Sequence, residues 1–125
     1  ESVSLSEKVW GQIQETKRLG GKIWALGSTV TRALEAKALR HLEAQPKDPS
    51  LQDDTDRFQT DLFIRPGFDF KVVDVLMTNF HQPESTLIAM VMAFSGIETL
   101  KKNYEWAIER NFRLFSYGDL SVWMK

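Results

Sequence analysis

A short apolar segment that runs through a glycine into a helical pattern limits the folds open to this chain. The segment KIWAL, residues 22–26, is bounded by glycines, and STVTRALEAKALRHLEA follows it from residue 28. A buried strand, a glycine turn and an amphipathic helix make half of a parallel α/β unit. The pattern therefore predicts a fold built on a parallel sheet.

Further apolar segments extend this prediction along the chain. Strands are predicted near residues 22–26, 60–64, 72–77 and 119–124, with helices at 4–19, 28–44, 86–95 and 97–110. The acidic, proline-bearing stretch 45–57 predicts a mobile solvated loop. We therefore expect an α/β fold with a mainly parallel sheet of about four strands flanked by helices.

The composition excludes several kinds of site. The 125 residues include no cysteine and two histidines, which excludes disulfides, thiolate metal sites, cysteine nucleophiles and histidine-rich metal sites. The 16 basic and 17 acidic residues nearly cancel, so the composition alone does not predict a basic surface for nucleic acid. The longest apolar run is too short to span a bilayer and no stretch reads as a secretory signal, so we expect no membrane contact and a cytoplasmic location.

Both ends of the chain read like internal sequence. The chain starts at Glu1 rather than at a methionine, and it ends in an apolar stretch at Trp123, Met124 and Lys125. We therefore expect these residues to be part of a longer polypeptide.

The segment GSTVTR, residues 27–32, follows the first predicted strand. Gly27 lets the backbone approach a ligand, and Ser28 and Thr29 offer hydroxyls and N–H groups at a helix start, with Arg32 one turn further. Such a helix start can bind a phosphate or a carboxylate. Helix capping by Ser28 or Thr29, with Arg32 on the surface, accounts for the same residues.

The segment TNFHQPEST, residues 78–86, follows the third predicted strand. His81 can act as a general base or acid because its ordinary pKa lies near neutrality, and Thr78 and Asn79 can orient ligand hydroxyls. Alternatively, these side chains tie down a turn and His81 satisfies a backbone carbonyl. Glu84 fits a charge that complements a helix N-terminus better than it fits an acid catalyst.

The segment FRLFSYGD, residues 112–119, is the third candidate. Arg113 can meet a phosphate, Phe115 and Tyr117 can stack on a base or face a cationic sulfonium, and Asp119 can accept ribose hydroxyls. A turn that packs aromatic side chains into the core explains the same pattern. Ligands of open α/β sheets bind beyond the carboxyl ends of the strands, so the patterns together favour a nucleotide-like ligand there.

Long motifs in the chain carry a resemblance to a known family. IRPGFDFKVVDVLMTNFHQPESTLIAMVMAFSG (64–96), FRLFSYGD (112–119) and ALGSTVTRALEA (25–36) resemble the C-terminal part of the S-adenosylmethionine:tRNA ribosyltransferase-isomerases of queuosine biosynthesis. The resemblance covers nearly the whole chain but roughly the last third of a typical member. It implies the C-terminal portion of the α/β catalytic domain of a larger two-domain enzyme, whose inserted β-barrel domain is absent from these residues.

The resemblance also implies a reaction. Members transfer the ribosyl group of S-adenosylmethionine to the aminomethyl-deazaguanine at the wobble position of the tRNA anticodon loop. They isomerise it to give epoxyqueuosine and release adenine and methionine. S-adenosylmethionine is then a ribosyl donor, no metal or redox cofactor is expected, and the intact enzyme is expected to be a monomer. These residues alone are expected to be inactive.

Roles for individual residues follow from the same resemblance. The sulfonium acidifies the adjacent ribose methylene, so a modest base suffices. His81 is the candidate for that base, or for protonating the departing adenine, with Asn79 as a second candidate catalytic residue. The implied donor-binding residues are Gly27, Ser28, Thr29, Arg32, Thr78, Phe80, Ser85, Thr86, Phe115, Tyr117 and Asp119.

Some positions depart from the family pattern, and an alternative function is open. Gln82 stands where the family often has leucine and Ser28 where it often has threonine, and the ending DLSVWMK differs from the usual one. None of these changes removes a candidate catalytic residue. The alternative is a non-catalytic module that binds S-adenosylmethionine or tRNA.

Overall fold

A computed structural model describes residues 2–42, 55–115 and 118–124. Four helices and five strands lie in this part of the chain. In chain order they are β1 (Ser2–Ser6), α1 (Glu7–Arg18), β2 (Trp24–Leu26), α2 (Ser28–Leu42), β3 (Thr55–Gln59), β4 (Val75–Asn79), α3 (Thr86–Ser95), α4 (Ile97–Glu109) and β5 (Leu120–Met124). Within these ranges no helix is both long and apolar enough to cross a membrane.

The strands form two small sheets rather than one. β1 and β3 pair antiparallel, and the second sheet has the order β2-β4-β5. β2 and β4 run parallel, whereas β4 and β5 run antiparallel. The α/β class is confirmed, but the predicted mainly parallel sheet of about four strands is wrong.

The direction of β5 follows from the connection that precedes it. Two consecutive helices, α3 and α4, carry the chain away from the end of β4 and back again. Leu120, at the start of β5, therefore pairs with Asn79, at the end of β4. A single crossover helix would have returned the chain to the other end of the sheet and produced a parallel strand.

The strand predicted at residues 60–64 is also absent. The hydrogen-bonded strand is β3, and its second residue, Asp56, lies in the stretch predicted to be a loop. Asp56 is buried because the Lys37 ammonium contacts its carboxylate at 2.7 Å. Ile64 is buried without strand pairing, so its apolar character reports core packing alone. The rest of the predicted loop, residues 45–54, lies outside the described residues.

The start of α1 is partly as predicted. Ser6 is the N-cap, and its hydroxyl accepts hydrogen bonds from the backbone N–H groups of Lys8 and Val9 at 3.1 and 3.4 Å. Ser4, where the predicted helix began, belongs to β1 instead. The helix starts three residues later than predicted because residues 2–6 pair with β3, which lies 49 to 57 positions further along the chain.

The three-stranded sheet buries one face, whereas its other face is exposed along the two outer strands, β2 and β5. Ala25, Leu76 and Trp123 lie on the buried face and pack in the core with the apolar side of α3. On the opposite face, Trp24 is 56% and Leu26 is 65% exposed. β2 was predicted to be a buried strand, but successive side chains alternate between the faces and only Ala25 is buried.

Two carboxylates place β4 beside β2 and α2. Glu35, on α2, is fully buried and accepts hydrogen bonds from the backbone N–H groups of residues 71–73 at 2.8 to 3.0 Å. Asp74 accepts a hydrogen bond from the backbone N–H of Ile23 at 2.9 Å, and the Lys17 ammonium lies 3.0 Å from the same carboxylate. These contacts align the segments that lead into β2 and β4.

Candidate active site

The candidate site lies where β2 and β4 end. Leu26 pairs with Met77 in the parallel register, so Gly27 and Thr78 follow at the same edge of the sheet. The backbone N–H of Gly27 donates to the Met77 carbonyl at 2.7 Å. The two polar segments, which begin 51 positions apart in the chain, therefore meet as the parallel strand–helix pattern predicted.

Gly27 occupies the turn between β2 and α2. Its φ of +94° lies in the region that favours glycine, and its carbonyl accepts hydrogen bonds from the backbone N–H of Thr31 at 3.2 Å and from the Thr31 hydroxyl at 2.9 Å. α2 begins at Ser28 itself, so Gly27 precedes the helix and the predicted capping by Ser28 or Thr29 is wrong. First-turn N–H groups have no acceptor within their own helix and can serve a ligand.

His81 is held by two neighbours. Its Nε2 atom lies 2.8 Å from the Thr78 hydroxyl oxygen, and its backbone N–H donates to the Tyr104 hydroxyl at 2.8 Å. Partial burial lowers the pKa of the His81 imidazole below its ordinary value near 6.5. The ring is therefore neutral at physiological pH and can accept a proton.

The turn before α3 is organised by Ser85. Its hydroxyl donates to the Gln82 carbonyl at 2.8 Å and accepts from the backbone N–H of Ile88 at 3.1 Å, which makes Ser85 the N-cap of α3. Glu84 adopts a φ of +65° in this turn. The Ser85 hydroxyl is thus engaged in local structure even though the residue lines the site.

Two hydrogen bonds join Arg113 to Asp119 before β5, and Phe115 lies between these residues in the chain. The Asp119 carboxylate accepts the backbone N–H of Arg113, and the backbone N–H of Asp119 donates to the Arg113 carbonyl at 3.2 Å. Between them Phe115 has a φ of +61°, a strained conformation for a non-glycine residue. The Asn79 side-chain amide reaches the Asp119 carbonyl at 3.5 Å, which ties this segment to β4.

These residues surround an open hollow of about 720 Å³. Its size suits a small-molecule ligand. The residues that line it are Leu26, Gly27, Ser28, Thr29, Thr78, Asn79, Phe80, His81, Gln82, Ser85, Leu87 and Phe115. The structure thus brings both predicted polar segments and Phe115 together around one space.

Several predicted site residues lie elsewhere. Arg32, Thr86 and Asp119 are not among the described residues that line the hollow, and Tyr117 lies outside the described residues. Sequence reasoning missed Leu26, Gln82 and Leu87. Leu26 and Leu87 precede Gly27 and follow Thr86 directly, so their adjacency to predicted site residues was the available signal.

The hollow combines hydroxyl, amide and imidazole groups with apolar walls. Such a surface can bind a nucleoside-like molecule through ribose hydrogen bonds and aromatic contact. Among the described residues, no three His, Asp or Glu side chains gather closely enough to hold a metal ion.

The chain is similar to known proteins both in sequence and in structure. Residues 1–122 match the family described as queuosine biosynthesis protein. S-adenosylmethionine:tRNA ribosyltransferase-isomerases of Halothermothrix orenii and Burkholderia mallei are each 46% identical to this chain over 95% of its length. The crystal structure of the S-adenosylmethionine tRNA ribosyltransferase of Thermotoga maritima superposes with a TM-score of 0.80 at 36% identity over 95% of the chain.

The matches cover only part of these relatives. The chain spans 32% of the length of the two enzymes and 38% of the solved chain.

Proposed function

The chain belongs to the queuosine biosynthesis protein family, and we propose that it forms the C-terminal part of the catalytic domain of an S-adenosylmethionine:tRNA ribosyltransferase-isomerase. The match over residues 1–122 carries this proposal. The relatives named above are about three times longer, which supports a larger enzyme. A second, inserted β-barrel domain belongs to the same proposal. A cytoplasmic, monomeric enzyme belongs to the same proposal.

The proposed reaction uses S-adenosylmethionine as a ribosyl donor. The amine of the aminomethyl-deazaguanine at the tRNA wobble position takes up the ribosyl carbon skeleton. The skeleton is isomerised to the epoxycyclopentanediol of epoxyqueuosine, and adenine and methionine leave. In this proposal tRNA and S-adenosylmethionine are the two partners, and no metal or redox cofactor takes part.

The hollow at the strand ends is the proposed donor site. Phe115 lines it together with the start of α2, and an aromatic face attracts a sulfonium cation. The first-turn N–H groups at Ser28 and Thr29 suit the methionine carboxylate. The hydrogen-bonding side chain of Asn79 suits the ribose hydroxyls.

His81 is the proposed general base. The ribose methylene beside the sulfonium is acidified by the positive charge, so a neutral imidazole suffices to remove its proton. Burial lowers the pKa of His81, which keeps the ring neutral and able to act as a base near pH 7.

The decisive experiment measures adenine release by the full-length protein, supplied with S-adenosylmethionine and tRNA that carries the aminomethyl-deazaguanine. We expect His81→Ala to lower the rate by about a hundredfold or more, the usual contribution of a general base. His41→Ala is the matched control, because His41 is an exposed histidine near the far end of α2. Absence of adenine release from the unaltered protein would overturn the proposed function. Equal loss in both variants would overturn the role of His81.

Titration calorimetry with S-adenosylmethionine tests the donor site separately. We expect saturable binding that Asn79→Ala weakens about tenfold, equivalent to losing one or two hydrogen bonds. Binding without adenine release would instead favour the alternative function, a non-catalytic module that holds the donor or tRNA. Binding unchanged by Asn79→Ala would move the donor away from the end of β4.

A further inference from the structure

Tyr104 is hydrogen-bonded to His81, although the two residues lie 23 positions apart in the chain. The Tyr104 hydroxyl oxygen accepts the His81 backbone N–H at 2.8 Å. His81 follows β4 without regular secondary structure of its own, so this contact from α4 holds its main chain in place. Tyr104 is not among the described residues that line the hollow, and it therefore acts behind His81 rather than on a ligand.

Aromatic contacts of the Tyr104 ring fix the position of its hydroxyl. Its ring lies 5.0 Å from the Phe80 ring and 6.5 Å from the Trp123 ring, measured between centroids. Burial raises the pKa of the Tyr104 hydroxyl, so the group stays protonated at all pH values of interest. The aromatic contacts and the hydrogen bond are separable, because phenylalanine would keep the first and lose the second.

Thr78 holds the ring of the same histidine. Its hydroxyl oxygen lies 2.8 Å from His81 Nε2. Thr78 is itself buried in β4, and its carbonyl accepts a hydrogen bond from the Ser121 hydroxyl at 2.9 Å. One ring nitrogen is therefore occupied by a side chain whose position is set by both β4 and β5.

We propose that Tyr104 and Thr78 are positioning residues for His81, Tyr104 through its main chain and Thr78 through its ring. This inference rests on the proposed role of His81 as the base. A base must be held at hydrogen-bond distance from the proton that it removes, and small displacements lower the rate steeply. Tyr104 supplies that constraint from α4, a helix whose residues 97–109 do not line the hollow themselves.

A double-variant cycle in the full-length protein tests the inference. Tyr104→Phe should lower kcat for adenine release by about ten- to a hundredfold and leave KM for S-adenosylmethionine unchanged within about twofold. In a His81→Ala background the same change should have no further effect, because Tyr104 acts through the imidazole. An additional loss in that background, or a rise in KM that accounts for the whole effect, would overturn the inference.

Conservative variants separate positioning from folding. Thr78→Ser keeps the hydroxyl and should keep most of the activity, whereas Thr78→Val has nearly the same shape and should lose it. Asn103→Ala is the control on α4, since its exposed side chain bonds the Thr99 carbonyl at 2.8 Å. Equal activity of Thr78→Ser and Thr78→Val would overturn the role of the hydroxyl.

A measurement without turnover distinguishes this inference from the proposed function. The ring ¹⁵N shifts of His81, assigned by comparison with His41→Ala, should show one dominant tautomer in the unaltered protein and a mixture in Thr78→Val. That result would stand even if no adenine were released. A tautomer mixture in the unaltered protein would show that Thr78 does not hold the ring.

Discussion

The carboxylate of Glu35 lies 2.9 Å from the backbone nitrogen of Val73, and both residues are fully buried. The same carboxylate accepts the N–H groups of Lys71 and Val72. These hydrogen bonds join α2 to residues 71–73, which precede β4 and belong to no strand. This contact sets how far β4 extends beside β2, and so where Gly27 and Thr78 meet.

Replacing Glu35 should destabilise the fold. Glu35→Gln keeps the shape but turns an amide N–H towards buried backbone donors, so we expect the free energy of unfolding to fall by about 2–4 kcal/mol. Urea denaturation measures the loss. Glu15→Gln is the control, because Glu15 forms an exposed pair with Arg18 on α1 and should leave the free energy of unfolding nearly unchanged. Comparable losses in the two variants would contradict the buried role of Glu35.

Asp56 should make the free energy of unfolding depend on pH in the acidic range. Burial by itself raises the pKa of this carboxyl, but hydrogen bonds and charge from Lys37 and then Arg40 outweigh burial and lower it below its ordinary value. A lowered folded-state pKa stabilises the fold above the unfolded value near 4, and that stabilisation is lost as pH falls through the folded-state pKa.

Asp56→Asn tests this dependence. At pH 7 we expect a loss of about 2 kcal/mol in the free energy of unfolding, because the buried Lys37 ammonium loses one of its two carboxylate contacts and keeps the one with Glu7 at 2.8 Å. The difference in free energy of unfolding between the unaltered protein and Asp56→Asn should become smaller as pH is lowered below about 4. Asp69→Asn, at an exposed pair with Lys71, should show little effect at either pH. If that difference in free energy of unfolding stayed constant with pH, the stabilisation by Asp56 would not come from its charge.

Gly27 and Gly11 should respond to alanine with opposite signs. An added Cβ meets nothing within 4 Å at either position, so only backbone preference differs. Gly27 has a φ of +94°, and Gly27→Ala should cost about 1–2 kcal/mol. Gly11 lies inside α1, and Gly11→Ala should stabilise by about 1 kcal/mol. Thermal unfolding of both variants measures the contrast, and effects of the same sign would contradict it.

The activity should depend on pH through His81. Partial burial lowers its pKa, so the neutral, basic form prevails above a value lower than 6.5. We expect kcat/KM for adenine release, which reports ionisation of the ligand-free protein, to rise with pH through that lowered pKa and then to level off, with the same profile in His41→Ala. A rising limb centred above 6.5 would argue against His81 as the base. The same shift predicts a small loss of stability as pH falls below about 6.5, since the unfolded chain binds that proton more readily.

Local patterns were sufficient for much of the candidate site. The apolar segment, Gly27 and the helix after it predicted a parallel unit. Together with the strand predicted at 72–77, this placed residues 27–29 and 78–81 at one edge of the sheet. The prediction succeeded because each strand and helix has a local pattern, and because parallel strands of one sheet end at the same edge. The hollow is lined by both of these segments and by Phe115.

Contacts between distant residues account for what local patterns missed. Residues 55–57 read as an acidic loop, yet Asp56 is buried in a strand because Lys37 and Arg40 neutralise it. β5 runs antiparallel because two helices return the chain to the end of β4. Tyr104 reads as an ordinary core aromatic until its hydroxyl meets the main chain of His81. Propensity and periodicity describe what each segment prefers alone, whereas charge neutralisation, strand direction and support for the histidine proposed as the base arise only when separate segments pack together.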